Sequence, residues 1–115
     1  MKELSLPHIA PIRFAKNILF MDEKEARVSV SFGEIASLGM LIESAAQSCA
    51  AFGDETTSGF LVSLKNVKLL KKPTELNLEV ALVNEFNLGA MANFSFKVFE
   101  GTKELVNGSL VIVKN

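Results

Sequence analysis

Residues Ser37 to Cys49 read SLGMLIESAAQSC, and this segment decides the fold of the 115-residue chain. Apolar residues recur at three- and four-residue spacing in and around it, which is the pattern of an α-helix. Ser37 is a suitable N-cap, and Gly53 suits the left-handed position after the last turn. Because the helix is apolar nearly all the way round, we expect it to be central and buried, at about residues 37–53.

Two polar side chains, Glu43 and Gln47, stand one turn apart on this apolar helix. Burying a carboxylate is costly unless another group compensates it, and desolvation favours its neutral form. We therefore expect Glu43 either to have a chemical role or to lie at an edge where a neighbour satisfies it. Gln47, on the same face, is suited to hold Glu43 or a ligand by a hydrogen bond, or it is simply a polar residue of an interface.

Strand patterns flank the helix on both sides. Alternating apolar residues and polar separators predict strands at 13–21, 26–32, 60–70, 75–86, 90–99 and 105–113. A buried helix beside a long antiparallel sheet is most simply arranged with the sheet wrapped around the helix. We expect one α+β domain over residues 1–115, with about six strands around the helix.

Composition excludes several classes of function. The net charge is −1 and no polybasic run is present, so we expect no nucleic acid partner. With one cysteine and one histidine, Cys49 and His8, neither a disulfide nor a metal site is expected, and nothing implies a cofactor. No apolar run is long enough for a signal peptide or a membrane span, so we expect a cytoplasmic protein.

Two short motifs resemble a known family. The opening LPHIAP at residues 6–11 precedes a strand, and LIESAAQ at residues 41–47 lies on the helix. In this order they resemble the 3-hydroxyacyl-[acyl-carrier-protein] dehydratases, which have the hot-dog fold. The run from Phe60 to Pro73, a strand that ends in basic residues, is similar as well.

One departure from that family lies just before the helix. Housekeeping dehydratases carry a Gly-His-Phe-Pro-Gly element there, whose histidine is the catalytic base. Residues 31–39 read SFGEIASLG and contain no histidine. In this respect the chain is closer in character to the dehydratase-like branch of aryl-polyene clusters, which keeps the opening and the Glu/Gln helix.

The resemblance implies roles for particular residues. Glu43 matches the family's helix acid, which protonates the departing hydroxyl group, and the helix pair also implies that Gln47 binds substrate. Gly39 and Met40, at the start of the helix, are expected to bind substrate, because Gly33 and Gly39 would let backbone N–H groups approach and polarise a thioester carbonyl. Alternatively, either glycine only forms a tight turn. His8 either orders the N-terminal segment or replaces the missing base.

Three functions follow from these observations. The first is a dehydratase-like lyase that acts on 3-hydroxyacyl thioesters of acyl carrier protein or coenzyme A. The second is an acyl thioesterase that uses Glu43, and the third is a non-catalytic acyl-binding or partner subunit of an active dehydratase. The resemblance implies a homodimer or a higher homo-oligomer. Four lysines either bind an acidic acyl carrier protein or are simply exposed, namely Lys65, Lys68, Lys71 and Lys72.

Overall fold

One antiparallel sheet and one helix make up the described part of the chain. The structure, a computed structural model, describes residues 2–3, 13–52 and 59–114. The strands are β1 (Lys2–Glu3), β2 (Ala15–Met21), β3 (Glu25–Ser31), β4 (Gly59–Leu69), β5 (Asn77–Leu88), β6 (Met91–Glu100) and β7 (Lys103–Lys114). The helix α1 (Leu38–Ser48) lies between β3 and β4 in the chain.

The strands form a single sheet in the order β1-β2-β3-β5-β6-β7-β4, and every neighbouring pair is antiparallel. The six longer strands match the six that the sequence predicts, and the two-residue β1 adds to β2. The predicted α+β class is therefore confirmed. The last three strands follow one another through tight hairpins, in which Gly89 and Gly101 take the positive φ values that these turns need.

The core lies between α1 and one face of the sheet. Side chains alternate along a strand, and every second residue of β3, β5 and β6 is buried, as at Val28, Val80 and Phe94. Leu41 and Ala45 of α1 are fully buried in the same cluster. Small residues on this side of the helix let the sheet approach it closely.

The helix begins where the sequence predicts it. The Ser37 side chain accepts a hydrogen bond from the Met40 backbone N–H at 3.2 Å, which confirms Ser37 as the N-cap. The α-helix ends at Ser48 and continues as one 3-10 turn over Cys49–Phe52, because the Cys49 N–H bonds to the Ala46 carbonyl three residues back. The expected stop at Gly53 lies outside the described residues.

The expectation that the helix is buried all round is wrong for the single chain. One sheet covers only one side of α1. Ile35, which precedes the helix, is therefore 50% exposed, and Leu38, the first residue of the helix, is 39% exposed. Ile42 and Ala46 are half-buried. Within the described residues, no helix has both the length and the apolar character that a membrane crossing requires.

Candidate functional site

The candidate site centres on Glu43 and Gln47 in the middle of α1. The Gln47 Nε2 donates to Oε1 of Glu43 at 3.4 Å, a long hydrogen bond across one helical turn. Gln47 is buried at 4% exposure, whereas Glu43 is half-buried. The carboxylate therefore lies at the border between the core and the open side of the helix, where a ligand can reach it.

Gln47 is fixed by the backbone of β2 as well as by Glu43. Its Oε1 accepts hydrogen bonds from the N–H groups of Phe14 at 2.8 Å and Ala15 at 3.2 Å. Since only the amide oxygen can accept, these two bonds decide which way the amide points and turn Nε2 towards Glu43. The buried amide thus connects the start of β2 to the carboxylate.

The strand end that Gln47 holds is itself anchored. The carbonyl of Phe14 accepts from the Ser31 N–H at 2.9 Å, and the Phe14 ring lies 4.8 Å from that of Phe32. Arg13 donates from Nε to the Ala15 carbonyl at 3.2 Å. This packing fixes Phe14 and Ala15 against β3 and so holds the amide's backbone partners in place.

The start of α1 brings Gly39 and Met40 one turn before Glu43. The Met40 N–H donates to the Ser37 side chain, and the Met40 side chain packs against the core. Gly39 is exposed, and a Cβ added there would have only the Ser37 Oγ nearby, at 3.9 Å. The helix start is therefore open at Gly39, and the first N–H groups of an α-helix have no acceptor within the helix.

His8 falls in residues 4–12, outside the described residues, so its expected roles remain predictions. In the sequence it stands five residues before Arg13. The segment that contains it leads directly into the strand end held by Gln47.

The four lysines named above are all exposed, on β4 and in the connection that follows it. Lys103, at the start of β7, lies beside Lys71: its side-chain hydrogen bond and its positive charge lower the pKa of Lys71. The Glu100 carboxylate, which also lies near Lys71, acts in the opposite direction on this pKa.

Sequence reasoning missed the backbone partners of Gln47. Nothing in the sequence indicates which strand end crosses α1 at this point. The only available signal is a carboxamide at a position that faces the core, because a buried amide requires polar partners.

Comparisons with known proteins show the fold. No protein-family model matches the chain, and no curated protein matches it in sequence. Among solved structures, a chain of the dehydratase heterocomplex ApeI:P from Xenorhabdus doucetiae is similar, with a TM-score of 0.78 and 16% identity over 97% of this chain and 89% of that one.

Two other structures are similar over most of their length. A hypothetical thioesterase protein with coenzyme A from Streptococcus pneumoniae TIGR4 has a TM-score of 0.68 and 11% identity over 86% of this chain and 84% of that one. The PaaI protein from the phenylacetic acid degradation operon of E. coli has a TM-score of 0.67 and 13% identity over 84% and 81%. This chain therefore has the hot-dog fold.

Proposed function

We propose that this protein is a dehydratase-like enzyme that acts on 3-hydroxyacyl thioesters, with Glu43 as its acid. The observation that carries the proposal is the fixed Gln47 amide, which holds a half-buried carboxylate at the open side of an otherwise apolar helix. Structural similarity to a dehydratase complex and to a hypothetical thioesterase protein with coenzyme A supports an acyl thioester as the substrate class.

Dehydration needs two proton transfers. A base removes the proton from the carbon next to the thioester carbonyl, and an acid protonates the hydroxyl group on the following carbon, which leaves as water. The remaining electron pair forms the carbon–carbon double bond. Glu43 is the proposed acid, and His8 is the proposed base.

The helix start supplies the third requirement, which is stabilisation of the enolate that forms at the thioester carbonyl. The N–H groups of Leu38 and Gly39 carry the partial positive charge of a helix N-terminus. A thioester oxygen placed against them receives hydrogen bonds that strengthen as negative charge develops. Gly39 has no side chain to block this approach.

The substrate's carrier is proposed to be acyl carrier protein or coenzyme A. Lys65 and Lys68 are exposed on the edge strand β4, and Lys71 and Lys72 are exposed in the connection after it; Lys103 and Glu100 both lie near Lys71. An acidic carrier protein complements such a strip by charge. The same lysines would also suit the phosphates of coenzyme A.

A homodimer is proposed as the working form. β4 is an edge strand that pairs with β7 on one side only, and it exposes Val62 and Leu64. Ile35 and Leu38 are exposed beside the candidate site. A second copy would cover these apolar groups, and light scattering should then give the mass of two chains or more, whereas a monomer at working concentration contradicts this assignment.

A thioesterase is the second candidate. A single carboxylate can activate water for thioester hydrolysis without a histidine, and residues 31–39 hold no histidine near the start of α1. A similar solved structure is described as a hypothetical thioesterase with coenzyme A. In this reading Glu43 acts as a base rather than as an acid.

A non-catalytic partner subunit is the third candidate. The similar dehydratase from Xenorhabdus doucetiae is a heterocomplex, and loss of the histidine element is what an inactive partner could tolerate. Such a subunit would bind acyl chains or an active dehydratase without turning over substrate.

Product analysis separates the three functions. The purified protein is incubated with a 3-hydroxyacyl thioester and, separately, with the saturated acyl thioester of the same length. We expect an enoyl thioester from the first and no reaction with the second. Free thiol from either substrate indicates the thioesterase, and no product from either indicates the partner subunit. His8→Ala should abolish enoyl formation, and an unchanged rate removes His8 as the base.

A further inference from the structure

Two basic residues flank a small residue on the sheet face opposite α1. Arg27 of β3 is directly paired with Ala81 of β5, and Ala81 is directly paired with Lys97 of β6. Their neighbours along each strand are buried in the core, so this row lies on the other face. Adjacent strands are about 4.8 Å apart, so the backbones of Arg27 and Lys97 lie about 10 Å apart with Ala81 between them.

A groove lies over this row. Its cavity volume is about 450 Å³, within the range of about 300–1,000 Å³ that is typical of small-molecule sites. The lining combines the two cations with apolar residues, hydroxyl groups and amides, among them Val83, Ser95, Asn107 and Ser109. Arg27 and Lys97 are the charged groups of that lining, and both are positive.

Carboxylates outside the lining hold the two cations in position. Glu79 accepts from Arg27 Nη1 at 3.0 Å, and the Arg27 guanidinium carbon lies 4.8 Å from the centre of the Phe99 ring. Glu104 lies 3.5 Å from the Lys97 ammonium. A guanidinium has five N–H donors and an ammonium three, so both cations retain donors for a ligand. Groups positioned in advance lose less conformational freedom on binding.

We propose that this groove binds a small organic anion. Its carboxylate or phosphate group lies between Arg27 and Lys97 over Ala81, and its apolar body contacts Val83. Hydroxyl and amide groups from β6 and β7 border the anionic group. The site is on the opposite face of the sheet from Glu43, so it is separate from the proposed thioester site.

Nuclear magnetic resonance of the ¹⁵N-labelled protein tests the proposal with three probes: benzoate, phenyl phosphate and the neutral analogue benzamide. We expect saturable shifts of the backbone amides around Ala81, Ser95 and Ser109 with at least one anion, and binding at least about tenfold weaker with benzamide. Whichever anion binds more tightly identifies the preferred charged group.

Variants connect the binding to the groove. Arg27→Gln and Lys97→Gln should each weaken binding of the anion about tenfold, because each removes one charge-assisted contact. Ala81→Leu keeps both charges but fills the gap between them, and it should abolish binding. Lys24→Gln, at an exposed turn outside the groove, makes the same change in net charge and should leave the affinity unchanged, as should Glu43→Gln.

Three results overturn the proposal. One is the absence of saturable shifts at these amides with either anion. Another is benzamide binding as tightly as benzoate and phenyl phosphate. The third is an Ala81→Leu variant that binds the anion as tightly as the parent protein. This last result decides the question even if Arg27→Gln or Lys97→Gln fails to fold.

Discussion

The Gln47 side chain lies between Glu43 and the backbone of β2, and its Nε2 donates to the Glu43 Oε1 at 3.4 Å. The same amide accepts from two backbone N–H groups through its oxygen. One buried carboxamide thus joins the proposed acid to the first long strand. Its structural and functional contributions can be separated by substitution.

Gln47→Leu should destabilise the fold far more than Glu43→Gln. The leucine leaves the Phe14 and Ala15 N–H groups without their buried acceptor, at a cost of about 2–4 kcal/mol. At position 43, glutamine keeps an oxygen acceptor at a half-buried position, so we expect less than about 1 kcal/mol. Urea unfolding of both variants measures the difference. Equal unfolding free energies for the two would mean that Gln47 does not hold β2.

Gly108→Ala should destabilise the protein by about 1–3 kcal/mol, the usual cost of forcing an extra methyl group into a packed region. A Cβ at Gly108 would lie 2.9 Å from the Val67 Cγ2 and 3.1 Å from both the Val67 Cα and the Phe96 Cε1. Val67 lies in the irregular part of β4. Because its Cα is a backbone atom, it cannot move away as the end of a flexible side chain could.

Gly33→Ala is the matched control for Gly108→Ala. A Cβ at Gly33 would have no heavy atom within 4 Å, and the residue does not have a positive φ. Alanine there should leave the unfolding free energy unchanged or raise it by up to about 1 kcal/mol. If Gly108→Ala is as stable as this control, β4 and β7 do not approach each other as closely as described.

The free energy of unfolding should fall as the pH is lowered into the acid range, in part because of Glu100. Its carboxylate accepts from the N–H and hydroxyl groups of Thr74 and from the Glu75 N–H, and the Thr74 bonds lower its pKa from the usual 4.5. A group whose pKa is lower in the folded state stabilises the fold above the unfolded-state pKa. That stabilisation is lost as the pH falls through the folded-state value.

Glu100→Gln tests this dependence. The variant should be less stable than the parent at pH 7, and the gap between their urea midpoints should close as the pH falls from about 5 to about 3. Asp22, whose pKa is lowered by the backbone N–H groups of Glu25 and Lys24, keeps its own acid dependence in both proteins. A gap that stays constant over this range contradicts the role given to Glu100.

The helix and strand order follow from local patterns, so the sequence predicts them well. Ser37 is the N-cap as predicted, and six strands lie close to their predicted positions. The incomplete burial of α1 does not follow from its composition. An apolar surface indicates that contact is needed, but it does not indicate whether the chain's own sheet or a second copy provides that contact.

The candidate site is only partly predictable for a similar reason. The spacing of Glu43 and Gln47 places them on one helix face, which the structure bears out. Which strand end reaches Gln47, and which residues align with Arg27 across the sheet, depends on strand register. Register is set by long-range packing that a single sequence does not display.

Turnover by Glu43→Gln tests the central claim most directly. The parent and the variant are assayed for enoyl product from the same 3-hydroxyacyl thioester, and their far-ultraviolet circular dichroism is compared to confirm equal folding. Because the amide cannot donate the carboxyl proton, we expect the rate to fall by about a hundredfold or more. A folded Glu43→Gln variant that forms the enoyl thioester at the parent rate contradicts the assignment of Glu43 as the acid.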